Sequence, residues 1–336
     1  MQVLKLEREL TVDQQLAVFG VNDENIKIIE KALSVSISQR NGNMEVKSES
    51  EESAQTGMLL LRTLLEMYDR GETIDAESVF RMLEAAQNGD AGQALQATSD
   101  VIAVSASGRP IRCKTIGQKN YIKALNDDTV TICIGPAGTG KTYLAVAQAV
   151  SELRSKKISK IIMSRPAIEA GEERLGFLPG DLAQKVDPYL RPLYDALEDL
   201  LGGAEAVQKN MEKGIIEIAP LAYMRGRTLT NARVLIDESQ NASLSTLKMA
   251  LTRLGEGSKM VLTGDVTQID LPKIRDSGLE RCASILGGIE GISVVRLNNR
   301  DVVRNRIVKE IVKAFERAET DKKPPQAARS PRGRNR

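Results

Sequence analysis

The 336 residues include no histidine and no tryptophan, and aromatic side chains make up 3% of the chain. Without histidine, Ser-His-Asp triads, histidine–metal sites and histidine phosphotransfer are excluded, so any catalytic base has to be a carboxylate or a lysine. With so few aromatics, stacking platforms for nucleic-acid bases are scarce. The three cysteines, Cys113, Cys133 and Cys282, are scattered and form no C-x-x-C pair, which fits reduced bystander thiols. No apolar run approaches the ~18 residues of a membrane span, and Lys5, Glu7, Arg8 and Glu9 interrupt the N-terminal stretch. A cytoplasmic protein with no membrane contact is expected.

The net charge of +2 conceals a segregation. Residues 1–90 hold 9 Lys/Arg against 17 Asp/Glu, whereas Lys322–Arg336 hold six basic residues and no acidic one. A polyanion would meet the later part of the chain rather than its acidic front.

Gly135, Pro136, Ala137, Gly138, Thr139, Gly140, Lys141 and Thr142 complete the pattern G-x-x-x-x-G-K-[ST]. The β-branched run Thr129–Ile134 precedes it as a buried strand, and residues 141–156 follow with helical spacing of Leu144, Ala147 and Val150. In such a strand–loop–helix the backbone N–H groups and the helix N-terminus point at phosphate oxygens. Lys141 then reaches the β- and γ-phosphates and Thr142 offers a hydroxyl to Mg²⁺. ATP and Mg²⁺ are the implied ligands.

Hydrolysis needs a second carboxylate site. Val234–Glu238 reads as an apolar strand ending in Asp237, placed to hold the water shell of Mg²⁺, and Glu238, placed to orient or deprotonate the attacking water. Lys259–Asp270 is a further strand with a polar end, where Thr263, Asp265 and Gln268 could sense the γ-phosphate. Gln118, about twenty residues before the loop, carries an amide able to pair with an adenine edge.

The organisation implied is a two-part α/β chain. Residues 1–90 read as a small α+β domain: an edge strand over 4–10, helices over 11–19 and 23–33, a β-hairpin turning at Asn41-Gly42-Asn43, then helices over 51–70 and 76–86. In the first of these last two, Leu59, Leu60, Leu64 and Met67 are expected to face inward. The order resembles a KH-type RNA-binding module, but the turn Gly20-Val-Asn-Asp23 lacks the second glycine of a G-x-x-G clamp. Residues 91–109 read as a linker and 319–336 as a basic disordered tail. Between them, 110–318 alternate strands and helices as a P-loop NTPase parallel sheet flanked by helices, with further strands over 158–163, 214–218, 232–236, 259–263 and 292–297.

Gln118–Tyr121, the phosphate loop, Ser164–Gly171, Leu175–Gly180, Asp187–Tyr194, Met224–Thr228, Asp237–Asn241 and Gly264–Asp270 together resemble the motif series of PhoH-like ATPases. The likeness covers most of residues 110–315, and the N-terminal segment is similar to the KH-like domain of longer bacterial members. It implies an ATPase core akin to superfamily 1 helicases, a link to RNA metabolism and ring-like homo-oligomers. It also places Ser164 and Arg165 where such proteins contact a strand or transmit motion. Arg304, in Asp301-Val-Val-Arg304, falls where an arginine is directed to the nucleotide as a catalytic finger, with Arg253, Arg296 and Arg300 as further candidates. Ser239 stands where the pattern has Ala, and Asn305-Arg306 where it has His-Pro.

The leading functional expectation is an ATPase that remodels or unwinds RNA. Its rival is a nucleotide-dependent scaffold that recruits a ribonuclease, such as a YbeY-family endoribonuclease, without helicase action. A small-molecule kinase is disfavoured by the adjacent Asp237-Glu238 pair. Only roughly fifty residues separate Asp270 from the tail, too few for a second full helicase domain, so a neighbour in a ring would have to supply the missing parts.

Overall fold

The computed structural model describes residues 2–40, 43–87, 100–166 and 182–303, with isolated positions at 89, 92, 95, 307, 308, 311 and 314. Leu175–Gly180, Arg304 and nearly all of the chain beyond it lie outside the described residues, as do the side chains of 182–188.

The N-terminal part has the elements β1 (Gln2–Lys5), α1 (Val12–Phe19), α2 (Glu24–Leu33), β2 (Ser36–Arg40), β3 (Asn43–Ser48), α3 (Glu51–Asp69) and α4 (Ala76–Gln87). Its sheet has the order β1-β3-β2, antiparallel throughout. Thr11 starts α1 with a capping box, its hydroxyl accepting from the Gln14 N–H while the Gln14 amide oxygen accepts from the Thr11 N–H. The first strand is shorter than the expected 4–10. Leu6 still donates its N–H to Met44 O, but the chain then turns away and Arg8 pairs with Asp69 of α3 at 2.9 Å. Val18, Ile29, Met44, Val46, Leu60, Leu61, Leu64 and Met82 fill the core between sheet and helices. Leu59, expected to face inward, is instead 43% exposed. The buried stripe of α3 runs through 57/58, 60/61, 64/65 and 67, and Leu59 sits about 100° away from Leu60 on the helix.

Part of the expected linker is ordered. β4 (Val101–Val104) pairs antiparallel with β5 (Pro110–Arg112). Ile102, Ala103 and Ile111 bury themselves in the core that also holds the helix after the phosphate loop. A short Val-Ile-Ala-Val run surrounded by small polar residues is weak as a local signal, and burial against that helix gives it its strand.

The remaining elements are α5 (Ile116–Asp127), β6 (Val130–Ile134), α6 (Lys141–Arg154), β7 (Lys160–Arg165), α7 (Leu182–Leu201), α8 (Ala204–Glu212), β8 (Ile216–Pro220), β9 (Ala232–Ile236), α9 (Leu244–Leu251), β10 (Lys259–Gly264), α10 (Leu279–Leu286) and β11 (Ile292–Arg296). Among the described residues they form a six-stranded sheet of order β11-β6-β10-β9-β7-β8, with every pairing parallel. The α/β class with helices on both faces is as expected, and β7 and β8 begin two residues later than their predicted ranges. Strands buried on both sides read as continuous apolar runs. Cys133, Met163, Leu235 and Val261 face the core under α6 and α7, while Ile132, Ile162, Val234 and Leu262 face the core under α9 and α10. The register aligns Ile134 with Gly264 and Arg296, and Ser164 with Ile236. The carboxyl ends of β6, β7, β9, β10 and β11 therefore gather on one edge.

Candidate nucleotide site

The loop between β6 and α6 is held from several sides. Gly135 approaches β11's end so closely that a Cβ there would stand 2.7 Å from Leu297 Cβ and 2.8 Å from its carbonyl oxygen. Gly138 and Gly140 adopt φ of 84° and 80°, which an L side chain rarely tolerates, and Gly140 caps α6. Thr139 Oγ1 donates to Pro136 O at 2.8 Å, and the Ala137 N–H donates to Asp265 Oδ2 at 3.0 Å. The Val303 N–H donates to Gly138 O at 2.9 Å. Lys141, at the first turn of α6, is buried and donates its ammonium to Gly135 O at 2.6 Å and Pro136 O at 2.9 Å. Burial pushes its pKa below the ordinary lysine value, while Cys133, Asp265, Glu238 and Asp237 pull it back up.

From β9 comes Asp237, 2% exposed. Its Oδ1 accepts from Thr142 Oγ1 at 2.6 Å and Thr263 Oγ1 at 2.5 Å. Its Oδ2 accepts from Arg165 Nε at 2.8 Å and Nη2 at 2.5 Å. Glu238 follows in a left-handed conformation, φ 52° and ψ 38°, which turns its side chain back toward the cleft and leaves it 40% exposed. Gln240 Nε2 donates to Glu238 Oε2 at 2.6 Å and to Gln268 O at 2.9 Å, and its Oε1 accepts from the Asp265 N–H at 3.1 Å.

A cleft of about 270 Å³ is bordered by Ala137, Gly138, Gly140, Lys141, Thr142 and Tyr143 on one side and by Asp237, Glu238, Gly264, Asp265 and Gln268 on the other. Larger hollows of about 510 and 540 Å³ occur elsewhere, but neither meets the phosphate loop. A concave site with helix-terminal N–H groups, one buried ammonium and two adjacent carboxylates suits a polyphosphate with a divalent cation. Thr142 Oγ1 and Asp237 would hold that ion, in keeping with the preference of Mg²⁺ for one or two carboxylates plus phosphate oxygens.

The family model described as PhoH-like protein matches residues 110–316, which include every one of these groups. The chain belongs to the PhoH-like protein family. A PhoH-like protein of Bacillus subtilis is 48% identical over 305 residues, 91% of this chain and 95% of that protein. One from Synechocystis is 45% identical over 314 residues, covering 93% and 94%. Protein PhoH of Escherichia coli is 42% identical over 208 residues, 61% of this chain and 58% of that protein. Among solved structures, the large terminase of a thermophilic bacteriophage aligns with a TM-score of 0.34 at 14% identity, over 59% of this chain and 49% of that one. The Hef helicase domain of Pyrococcus furiosus gives 0.32 at 18% identity, over 61% and 45%. This chain spans about half the length of those two or less.

In this PhoH-like chain the cleft brings together Lys141, Thr142, Asp237, Glu238 and Gln268. Gln118, expected to pair with an adenine edge, is 4% exposed; its amide oxygen accepts from the Lys114 N–H at 2.6 Å and its NH₂ donates to Thr139 O at 3.0 Å. In this structure the amide joins the residues just before α5 to the phosphate loop. Thr263 is fully buried, and Asp265, also buried, holds the loop through Ala137. Ser164 is fully buried as well, and its carbonyl accepts the Asp237 N–H at 2.8 Å. Arg165 binds Asp237. Of the further arginine candidates, Arg253 Nε donates to Met249 O at 3.2 Å at the end of α9 and Arg296 pairs with Glu280 at 2.6 Å, while Arg300 is exposed.

Gln240, Tyr143 and the side chain of Asp301 join the site only in three dimensions. Tyr143 borders the cleft and donates its hydroxyl to Asp199 of α7 at 2.6 Å; burial, then that carboxylate, pushes its pKa up to about 12. Asp301 accepts from Thr115 Oγ1 at 2.6 Å and from the Asn298 N–H at 2.9 Å, anchoring α5 to the segment that touches the loop. Gln240, within Asp237–Asn241, and Asp301, opening Asp301-Val-Val-Arg304, both lie in family motifs, whereas Tyr143 follows the phosphate loop without a signal of its own.

Proposed function

We propose that the chain hydrolyses ATP with Mg²⁺ at this cleft and couples the cycle to RNA remodelling or unwinding. The observation that carries the reading is the meeting of Thr142 with Asp237 at 2.6 Å beside the half-exposed Glu238. It joins a phosphate loop to a metal carboxylate and a candidate base in one cleft. Lys141 and the loop N–H groups bind and orient the β- and γ-phosphates, and Thr142 and Asp237 hold the ion. When bound, Mg²⁺ neutralises charge on the phosphate oxygens. Glu238 accepts the proton of the attacking water, its carboxylate aimed by Gln240. Arg304 completes the site as a finger from a neighbouring subunit in a ring-like homo-oligomer, and Gln268 reports the state of the γ-phosphate.

RNA and the cytoplasmic setting belong to the same reading and rest on family membership. The scarcity of aromatics favours contacts to the phosphate backbone over base stacking. The deciding experiment measures ATP hydrolysis with and without single-stranded RNA, beside a Lys141→Ala control. Turnover that requires Lys141 and rises with RNA supports the reading. Turnover that requires Lys141 but ignores RNA points to the scaffold that recruits an endoribonuclease of the YbeY class, and no turnover at all removes the ATPase assignment.

A further inference from the structure

Asp237 in this structure is served by four donors: two threonine hydroxyls on Oδ1 and two guanidinium nitrogens of Arg165 on Oδ2. A carboxylate has roughly four lone-pair sites, so its acceptor capacity is taken up within the protein. A divalent ion drawn to Asp237 has to replace some of these donors. The hydroxyls are neutral and can rotate, and a hydroxyl can itself ligate the ion. The guanidinium cannot: it is permanently charged, offers no lone pair and repels a dication across a buried, low-dielectric contact. Arg165 and the metal therefore compete for the same carboxylate.

Arg165 is also tied elsewhere. Its Nη1 donates to Tyr189 O at 2.9 Å, a backbone carbonyl of α7, and its Nη2 lies 3.8 Å from Glu238 Oε1. The far end of α7 touches the cleft again through Asp199 and Tyr143. One side chain thus bridges the metal carboxylate, the candidate base and the long helix. A metal nucleotide brings both halves of an exchange, a cation for Asp237 and phosphate oxygens for a guanidinium. Neither buried charge is left unpaired when the partners change.

We propose that Arg165 is a resident counter-cation of Asp237 that gives way when the metal nucleotide arrives and lets go of the Tyr189 carbonyl, so that α7 senses the state of the cleft. The proposal rests on the ATPase reading of the same site. It makes Arg165 a positioning residue that sets metal affinity and relays occupancy.

The test has two arms on the full chain. In the first, without nucleotide, Mn²⁺ is titrated and free Mn²⁺ is read by electron paramagnetic resonance. Arg165→Gln should bind the ion about tenfold more tightly than wild type, since the carboxylate loses its competing cation, and Arg165→Lys should fall between. Equal or weaker binding by Arg165→Gln overturns the proposal. In the second, hydrogen exchange is followed over residues 189–201 of the wild type. Exchange should quicken when Mn²⁺ and a non-hydrolysable ATP analogue are added together, and Arg165→Gln should exchange fast in every state. If wild-type α7 exchanges alike with and without the ligands, the coupling is wrong, and this arm decides the matter even where the variant fails to fold. A fluorescent ATP analogue, with Lys141→Ala as control, separates the two readings. Failure of wild type to bind it sinks the nucleotide site, while the nucleotide-free Mn²⁺ titration still reports on Arg165.

Discussion

Replacing Glu238 by glutamine keeps its shape and its hydrogen bond to the Gln240 region but removes the proton acceptor. ATP-analogue affinity should stay within about threefold while single-turnover hydrolysis falls by roughly 10²–10⁴, the range of general-base contributions. Wild-type turnover in Glu238→Gln would remove the assignment. Lys141→Ala acts differently, because it deletes a charged donor already positioned at the loop. It should weaken ATP-analogue binding by about 2 kcal/mol or more, measured by titration at fixed Mg²⁺.

Within the elements, β9 carries an exception to its apolar pattern. Arg233 is buried and donates to Glu152 of α6, Nε to Oε2 at 2.9 Å, and to Leu125 O of α5 at 3.0 Å. The pair ties the strand that delivers Asp237 to the helix that carries Lys141. Removing one member of a buried pair strands the other charge. Glu152→Ala should therefore cost about 3–5 kcal/mol of unfolding free energy in urea titration. Glu152→Leu combined with Arg233→Met should cost less than Glu152→Ala alone, since no buried charge is then left over. A double variant as unstable as the single would show that the pair contributes through geometry beyond charge compensation.

For the molecule as a whole, the three thiols report on packing in two cores, Cys113 and Cys133 in one and Cys282 in the other. All are buried, and desolvation raises the pKa of each, Cys113 to about 12. In the unfolded chain a thiol titrates near its ordinary 9.0. The folded state keeps its proton longer, so this contribution to stability is full below pH 9 and is lost as pH rises toward 12. Urea midpoints should fall across that window, and a thiol reagent at neutral pH should modify the native protein far more slowly than the denatured one. The charge distribution makes a separate demand. Deleting Lys322–Arg336 removes six cations and no residue assigned to the nucleotide site, so RNA affinity should drop and its salt dependence flatten, by about 0.7 in slope per lost phosphate contact on single strands. Basal ATP hydrolysis should persist. Unchanged affinity and slope, with binding abolished instead by removal of residues 1–90, would transfer RNA recognition to the acidic N-terminal part.

The amino-acid sequence by itself determined the phosphate loop, the Asp237-Glu238 strand end, the parallel sheet and the helix–hairpin order of the first ninety residues. Each of these is written in contiguous residues: glycine spacing, β-branched runs and capping signals act over a few positions. Only the tertiary structure decided what Gln118, Arg165, Gln240 and Asp301 touch, because each has at least one partner on a distant element. Arg165 meets Asp237 across 72 positions and Thr115 meets Asp301 across 186. The hairpin at 101–112 and the outward turn of Leu59 were decided in the same way, by packing against neighbours rather than by local preference. Local motifs fix which groups a nucleotide site contains. Long-range register, the parallel alignment of β6, β7, β9 and β10, fixes which of them stand within hydrogen-bonding distance.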